Sequence, residues 1–458
     1  VLCGVAALLG CDEVEPYPAG ELVLTEGQET DTWTSEPVPV RAKVDRILED
    51  GTRKQHARLP VPPERFSLGT DGVAIFELTG FDADEQRRVW GRSYPLDTPT
   101  LLGWELPLFV SRTGTFSRPP GNLEYSHGQF PPVALLGDRL VLVAGSPAEG
   151  MVYAEAYDLA FWNVYVAPEL RCPSENELCE IRNLAVVDHA IIVALGDGWL
   201  RSYLLRPSED SPLGVDVEFY DAALPDGLNE FSDVAGGQVV SAPDGDVYVV
   251  GATRPGSPSS AVLRLLPGEE DTPRVGLRVL RLGAGRATAA AAWVDEYGLV
   301  VVGGSADAPG IEVLAEGQTE SAALPFPPDP TSGAAITKLG GSWLVRMGGT
   351  DENEQPAQTV ALDLGCSEDC TAQPLAPPVE LVSVEAFSLG DQDVLAIGLD
   401  PDGTTRAVRI RGEQTEEVAL REARRGASAL RVSTGHVALV GGLRDDDTSL
   451  RSFELFAP

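Results

Sequence analysis

The chain has 458 residues, with 70 acidic side chains against 34 Lys and Arg, a net charge of −36. So acidic a surface repels phosphate backbones and anionic headgroups, which excludes nucleic acid as a partner and an electrostatic hold on anionic lipid. The length demands several cores or a repeat array; 43% apolar content, scattered Gly (48) and Pro (36), and no long helical stripe make the chain all-β.

Residues 1–11 read VLCGVAALLGC and pass straight into the polar DEVEPYPAG. The apolar run is too short for about 30 Å of hydrocarbon but suits the core of a signal peptide, whose charged region is expected before Val1. Leu8-Leu9-Gly10-Cys11 resembles the lipobox of bacterial lipoproteins. The resemblance implies that Cys11 becomes the mature N-terminus and carries several lipid chains, since each buried CH₂ gives only about 0.8 kcal/mol. It also implies an exported protein anchored in the bacterial cell envelope, at the outer membrane or its periplasmic face. Residues 12–20 follow as a linker.

From residue 21 to residue 105 the segments ELVLTEG, VPVRAKVDRI, RFSLG, VAIFELTGF and RRVWGRSY read as strands. Val40, Ala42 and Val44 alternate with Arg41 and Lys43, the period of a half-buried strand. The expected unit is a small β-sandwich, immunoglobulin-like in architecture but without its Cys…Trp…Cys core, acting as a spacer.

Over residues 106–458 one unit recurs: an apolar strand, a tight polar turn, a second apolar strand ending at Gly, then amphipathic strands. The terminal glycines are Gly145, Gly196, Gly251, Gly303, Gly348, Gly398 and Gly441, spaced 43 to 55 residues apart. Such a sheet cannot bury its faces alone, so the units must stack, and this period fits the blades of a β-propeller. The expectation is a seven-bladed propeller. The chain reaches SFELFAP without a fourth strand for its last blade, and an open ring would leave two sheet edges exposed. Residues Leu108–Ser117, which include Thr113-Gly114-Thr115-Phe116, are expected to supply the missing outer strand.

Gly303-Gly304, Gly348-Gly349 and Gly441-Gly442, with Tyr157-Asp158 and Trp162 in EAYDLAFWNVYV, resemble the kelch family. Its blades carry a Gly-Gly after the second strand and a Tyr and Trp further on. The other blades depart from that pattern, so the repeats are degenerate. The resemblance implies a propeller and names no ligand.

In an oxidising compartment, Cys172 with Cys179 and Cys366 with Cys370 are expected to form two local disulfides. Neither pair is a CxxC, so no metal site is read from them. His189 and His436 are placed in equivalent turns, as loop residues rather than ligands. The acidic runs at 82–85, 400–403 and 445–447 lack EF-hand spacing and read as turns, and no cofactor motif or catalytic signature occurs. The sequence therefore favours a membrane-anchored binding or scaffold module for an unknown protein or glycan. The alternative is an envelope hydrolase or lyase with acidic residues at one propeller face.

Overall fold

In the strand Arg41–Leu48, Ala42 and Val44 are buried while Arg41 faces solvent, as a strand covered on one side requires. The protein is described here by a computed structural model covering residues 18–145, 154–166, 180–207, 215–268 and 271–458. This strand lies in an eight-stranded sheet. Its hydrogen-bonded path runs Arg53–Leu59, Arg41–Leu48, Val73–Phe81, Arg87–Arg92, Glu105–Arg112, Glu21–Glu26, Arg65–Ser67, and Leu96–Asp97 pairs beside Val73–Phe81. The ends of the path meet, with His56 Nε2 2.6 Å from the Ser67 carbonyl oxygen and its ring edge-on to Phe66 and Phe76. Where the sequence suggested a two-layer sandwich, the N-terminal part is thus one sheet curled around a core that includes Leu22, Val44, Phe66, Phe76 and Leu106. The parallel pairing of Glu21–Glu26 with Glu105–Arg112 joins what would otherwise be two layers.

Beyond residue 132 the chain forms six consecutive four-stranded antiparallel meanders and a seventh completed from elsewhere. Their first strands are Val133–Leu136, Asn183–Val187, Gln238–Ser241, Ala290–Val294, Ala335–Gly340, Val382–Gly390 and Ser428–Arg431. Second strands such as Gly298–Val302 and Val437–Val440 are buried throughout, as continuous apolar runs require. Among the described residues, seven apolar clusters each span two neighbouring blades, including the pair formed by blades 7 and 1. The molecule is a closed seven-bladed β-propeller.

The closure is narrower than expected. Phe116–Ser117 pairs with Phe453–Phe456, Ser117 opposite Leu455 and Phe116 opposite Phe456. Leu108–Arg112 instead stays in the N-terminal sheet, because Glu105–Arg112 is matched along Glu21–Glu26. Hydrogen bonding therefore extends the N-terminal sheet to Arg112 and starts the propeller at Phe116, past the boundary at 105 read from the sequence.

Up-and-down blades give the ring two faces. Hairpin turns between first and second strands lie on the turn face; loops between second and third strands and the blade-to-blade connections lie on the loop face. The N-terminal sheet docks on the turn face of blades 7 and 1. Trp90 packs 4.6 Å from His436, Phe109 packs 5.1 Å from Trp162, and Trp162 Nε1 donates to the Pro107 carbonyl oxygen at 3.4 Å. The N-terminal sheet is thus docked on the propeller.

Candidate interaction face

Polar groups buried beneath the loop face fall into a repeated arrangement. In blade 4, Arg286 Nη1 donates to the Gly303 carbonyl oxygen (2.7 Å) and Nη2 to Glu312 Oε1 (2.7 Å). In blade 7, Arg424 Nη1 donates to Gly441 O (3.1 Å) and Nη2 pairs with Glu454. In blade 1, His127 lies 3.3 Å from Ala144 O and 2.9 Å from Glu155 Oε1. Each basic residue sits seventeen positions before the carbonyl it meets. The carboxylates also collect main-chain amides: Glu124 and Tyr125 on Glu155, Gly283 on Glu312, Arg421 and Glu422 on Glu454. Burial pushes the Glu312 carboxyl up, but the Ser321 hydroxyl, Arg286 and the Gly283 amide outweigh it and hold it below its ordinary range. Blade 5 reverses the polarity, with Arg346 on the second strand and Asp329 at 2.5 Å in the incoming connection. These clusters tie each incoming connection to the blade it enters; they lie too deep to meet a large partner.

The glycines have two separate physical reasons. Gly303 and Gly304 both take positive φ (78° and 76°), a conformation closed to most side chains. Gly251 does not, but a Cβ there would come within 2.5 Å of the Asp233 carbonyl oxygen.

The connection entering blade 1 is held to the loop face through its main chain. Glu155 takes the amides at 124 and 125, and the Phe130 amide donates to Gly426 O at 2.5 Å with Phe130 at φ 48°. Above these anchors Tyr125 and Phe130 remain 39% and 46% exposed. Held backbone under exposed aromatic rings is the arrangement that lowers the ordering cost of an interface.

Around the inner ring a second position recurs. Asn183, Gln238 and Glu385 sit opposite Leu195, Val250 and Ile397, one residue before the second-strand glycine in blade 3 and in blade 6. Each reaches the next blade: Asn183 exchanges bonds with Gly236 and Gly237, Gln238 accepts from the Ala291 amide (3.1 Å), and Glu385 accepts from the Ala429 amide (2.8 Å). Burial pushes Glu385 up to about 7, and the Ala429 amide offsets only part of this.

Among sequence-derived candidates, Cys366 and Cys370 form a disulfide with Cα atoms 5.8 Å apart. Cys11, Cys172 and Cys179 lie outside the described residues. His189 and His436 are not equivalent: His189 is exposed within its turn, whereas His436 directly precedes its second strand and is fully buried. The acidic runs are capped turns, with Asp82 accepting from the Asp84 and Gln86 amides and Asp400 from Asp402 and Thr404. Among the described residues no group of three or more His, Cys, Asp or Glu side chains is placed to hold a metal ion. The basic–carboxylate clusters escaped the sequence reading, although the seventeen-residue spacing from Arg286 to Gly303 and from Arg424 to Gly441 was available in it.

Fold and face together define a closed β-propeller whose turn face carries the N-terminal sheet at blades 7 and 1 and whose other face is built of loops. No protein-family model matches the chain, and no curated protein matches it. Among solved structures it is similar to the C-terminal WD40 domain of Sif2 (12% identity, 76% of this chain and 99% of that one, TM-score 0.41). It is also similar to a putative 6-phosphogluconolactonase from Bacteroides uniformis (10% identity, 84% and 96%, TM-score 0.39). A third is BBS1N in its complex with ARL6DN (11% identity, 72% and 93%, TM-score 0.43). At these values the likenesses add nothing to the function.

Proposed function

We propose that this chain is an exported lipoprotein, tethered through Cys11, whose kelch-like propeller is a binding or scaffold module for an envelope or extracellular partner. The partner is a protein or glycan engaged on the loop face. The observation carrying this reading is the seated connection that holds Tyr125 and Phe130 outward, opposite the face taken by the N-terminal sheet. A tether at Cys11 precedes that sheet in the chain, so on this reading the sheet faces the membrane and the loop face points away from it. The lipid reading rests on the apolar run ending at Leu8-Leu9-Gly10-Cys11, and the kelch reading on the Gly-Gly pairs with the buried Tyr157 and Trp162.

Glu385 favours a second reading, an envelope hydrolase or lyase, because a carboxyl with a pKa of about 7 suits general acid–base work. Gln238 makes the same inter-blade bond without ionising, so the position does not require an acid. The test is capture from envelope extract with the form starting at residue 12, alongside polysaccharide and peptide panels assayed for turnover. A partner recovered without turnover is expected; turnover without a partner would move the assignment to the enzyme.

A further inference from the structure

The turn between the short 3-10 helix Thr98–Leu101 and the strand Glu105–Arg112 carries apolar side chains into solvent. Residues 98–104 read TPTLLGW, with no charge, in a chain of which 23% is charged. Gly103 takes φ 75°, which turns the backbone sharply, and Leu102 and Trp104 stand 37% and 55% exposed. All seven tryptophans fall within the described residues, and among them only Trp104 is exposed. The main chain of this tip is fixed. The Gly103 amide donates to the Pro18 carbonyl oxygen and the Glu21 amide to the Trp104 carbonyl oxygen, both at 2.8 Å. The acids flanking the tip, Glu21 and Glu105, both accept from Arg65 Nη1, at 3.0 and 2.8 Å.

Position decides what this tip meets. Pro18 follows Cys11 by seven residues, a stretch that spans at most about 25 Å. From the tip, Glu21–Glu26 and Glu105–Arg112 run parallel. Glu105–Arg112 leads over about 23 Å of strand to the segment that enters the propeller at Phe116. A lipid on Cys11 therefore keeps this end of the sheet within reach of the headgroups. Indole settles at the boundary between hydrocarbon and water, and an exposed Leu gains by leaving water. Two such side chains are too little for attachment without a tether.

We propose that Leu102 and Trp104 seat in the headgroup layer of the membrane that carries the Cys11 lipid, a second contact that orients the molecule on a zwitterionic bilayer. The inference rests on the lipoprotein reading and adds to it the surface by which the folded body meets the membrane.

The form starting at residue 12, which holds every described residue, tests it when an added N-terminal hexahistidine tethers it to nickel-chelating lipid in phosphatidylcholine vesicles. The tether then does not depend on acylation in the cell. Brominated phosphatidylcholine is expected to lower tryptophan emission, relative to unbrominated vesicles, by up to about one seventh, the share of Trp104 among the seven. That loss is expected to vanish in Trp104→Phe and to shrink at least about threefold in Leu102→Asp, which puts a charge in the tip. Both side chains are exposed, and near-ultraviolet circular dichroism checks that the variants keep the fold. No bromine-dependent quenching of the tethered wild type, or equal quenching in Trp104→Phe, would overturn the proposal. So would a wild type that sediments as a dimer beside a monomeric Leu102→Asp, since the tip would then cover a second copy. Mass spectrometry of the whole chain extracted from its membranes decides the tether separately. An unacylated Cys11 refutes the lipoprotein reading, whereas an acylated Cys11 without quenching refutes only the contact.

Discussion

Glu385 shows how one side chain can be a structural cap and still carry a pH signature. Its folded pKa of about 7 lies above the ordinary carboxyl value, so between about 4.5 and 7 the folded state holds a proton that the unfolded state has lost. Stability from this group is therefore fully present below 4.5 and lost as pH rises through 7. Glu385→Gln keeps an oxygen for the Ala429 amide and removes the ionisation. Relative to wild type, the variant is expected to be nearly unchanged at pH 4 and more stable at pH 8, by on the order of 2 kcal/mol after discounting partial exposure. Urea midpoints at the two pH values would show it, and an equal effect at both would contradict the burial account. Arg424 and Glu454 carry a different expectation, since both are fully buried. Arg424→Met alone leaves an uncompensated carboxylate and is expected to cost about 3–5 kcal/mol, much of it recovered by adding Glu454→Leu. A double-mutant cycle in denaturant measures that coupling; additive losses would refute it.

At the scale of elements, the closing strand has the greatest leverage for its length. Phe116 and Ser117 alone fill the outer edge of blade 7, with Phe116 fully buried against Phe456 and its carbonyl taking Arg421 Nε at 2.6 Å. Phe116→Ala is expected to cost about 3–5 kcal/mol and to free the edge of Phe453–Phe456 for association. Thermal unfolding with light scattering would report both, and a variant that melts like wild type and stays monomeric would mean that the ring is not held here. This closure was legible because the last blade lacked a strand and TGTF stood before the first. Its division at Arg112 was not legible, because the sequence pattern of Leu108–Arg112 suits either sheet and long-range parallel pairing with Glu21–Glu26 decides between them. The curled sheet was hidden for the same reason: alternation in Arg41–Leu48 fixes which side is buried, not which strands lie next to each other.

The whole molecule follows from seven blades that bury one another's faces and an N-terminal sheet that docks on the turn face of blades 7 and 1. Blade number was readable from the glycines because backbone conformation or close approach forces them. The candidate site was less readable: Tyr125 and Phe130 become a surface only once Glu155 and Gly426 seat their backbone. The central claim is that the loop face around blade 1 is where a partner binds. Its most direct test is the affinity of the captured partner for wild type and for Tyr125→Ala/Phe130→Ala, measured side by side by surface plasmon resonance. Both rings are exposed, so the fold is expected to persist while affinity falls at least a hundredfold, as losing two aromatic anchors implies. Unchanged affinity in the folded double variant would place binding elsewhere and contradict the account.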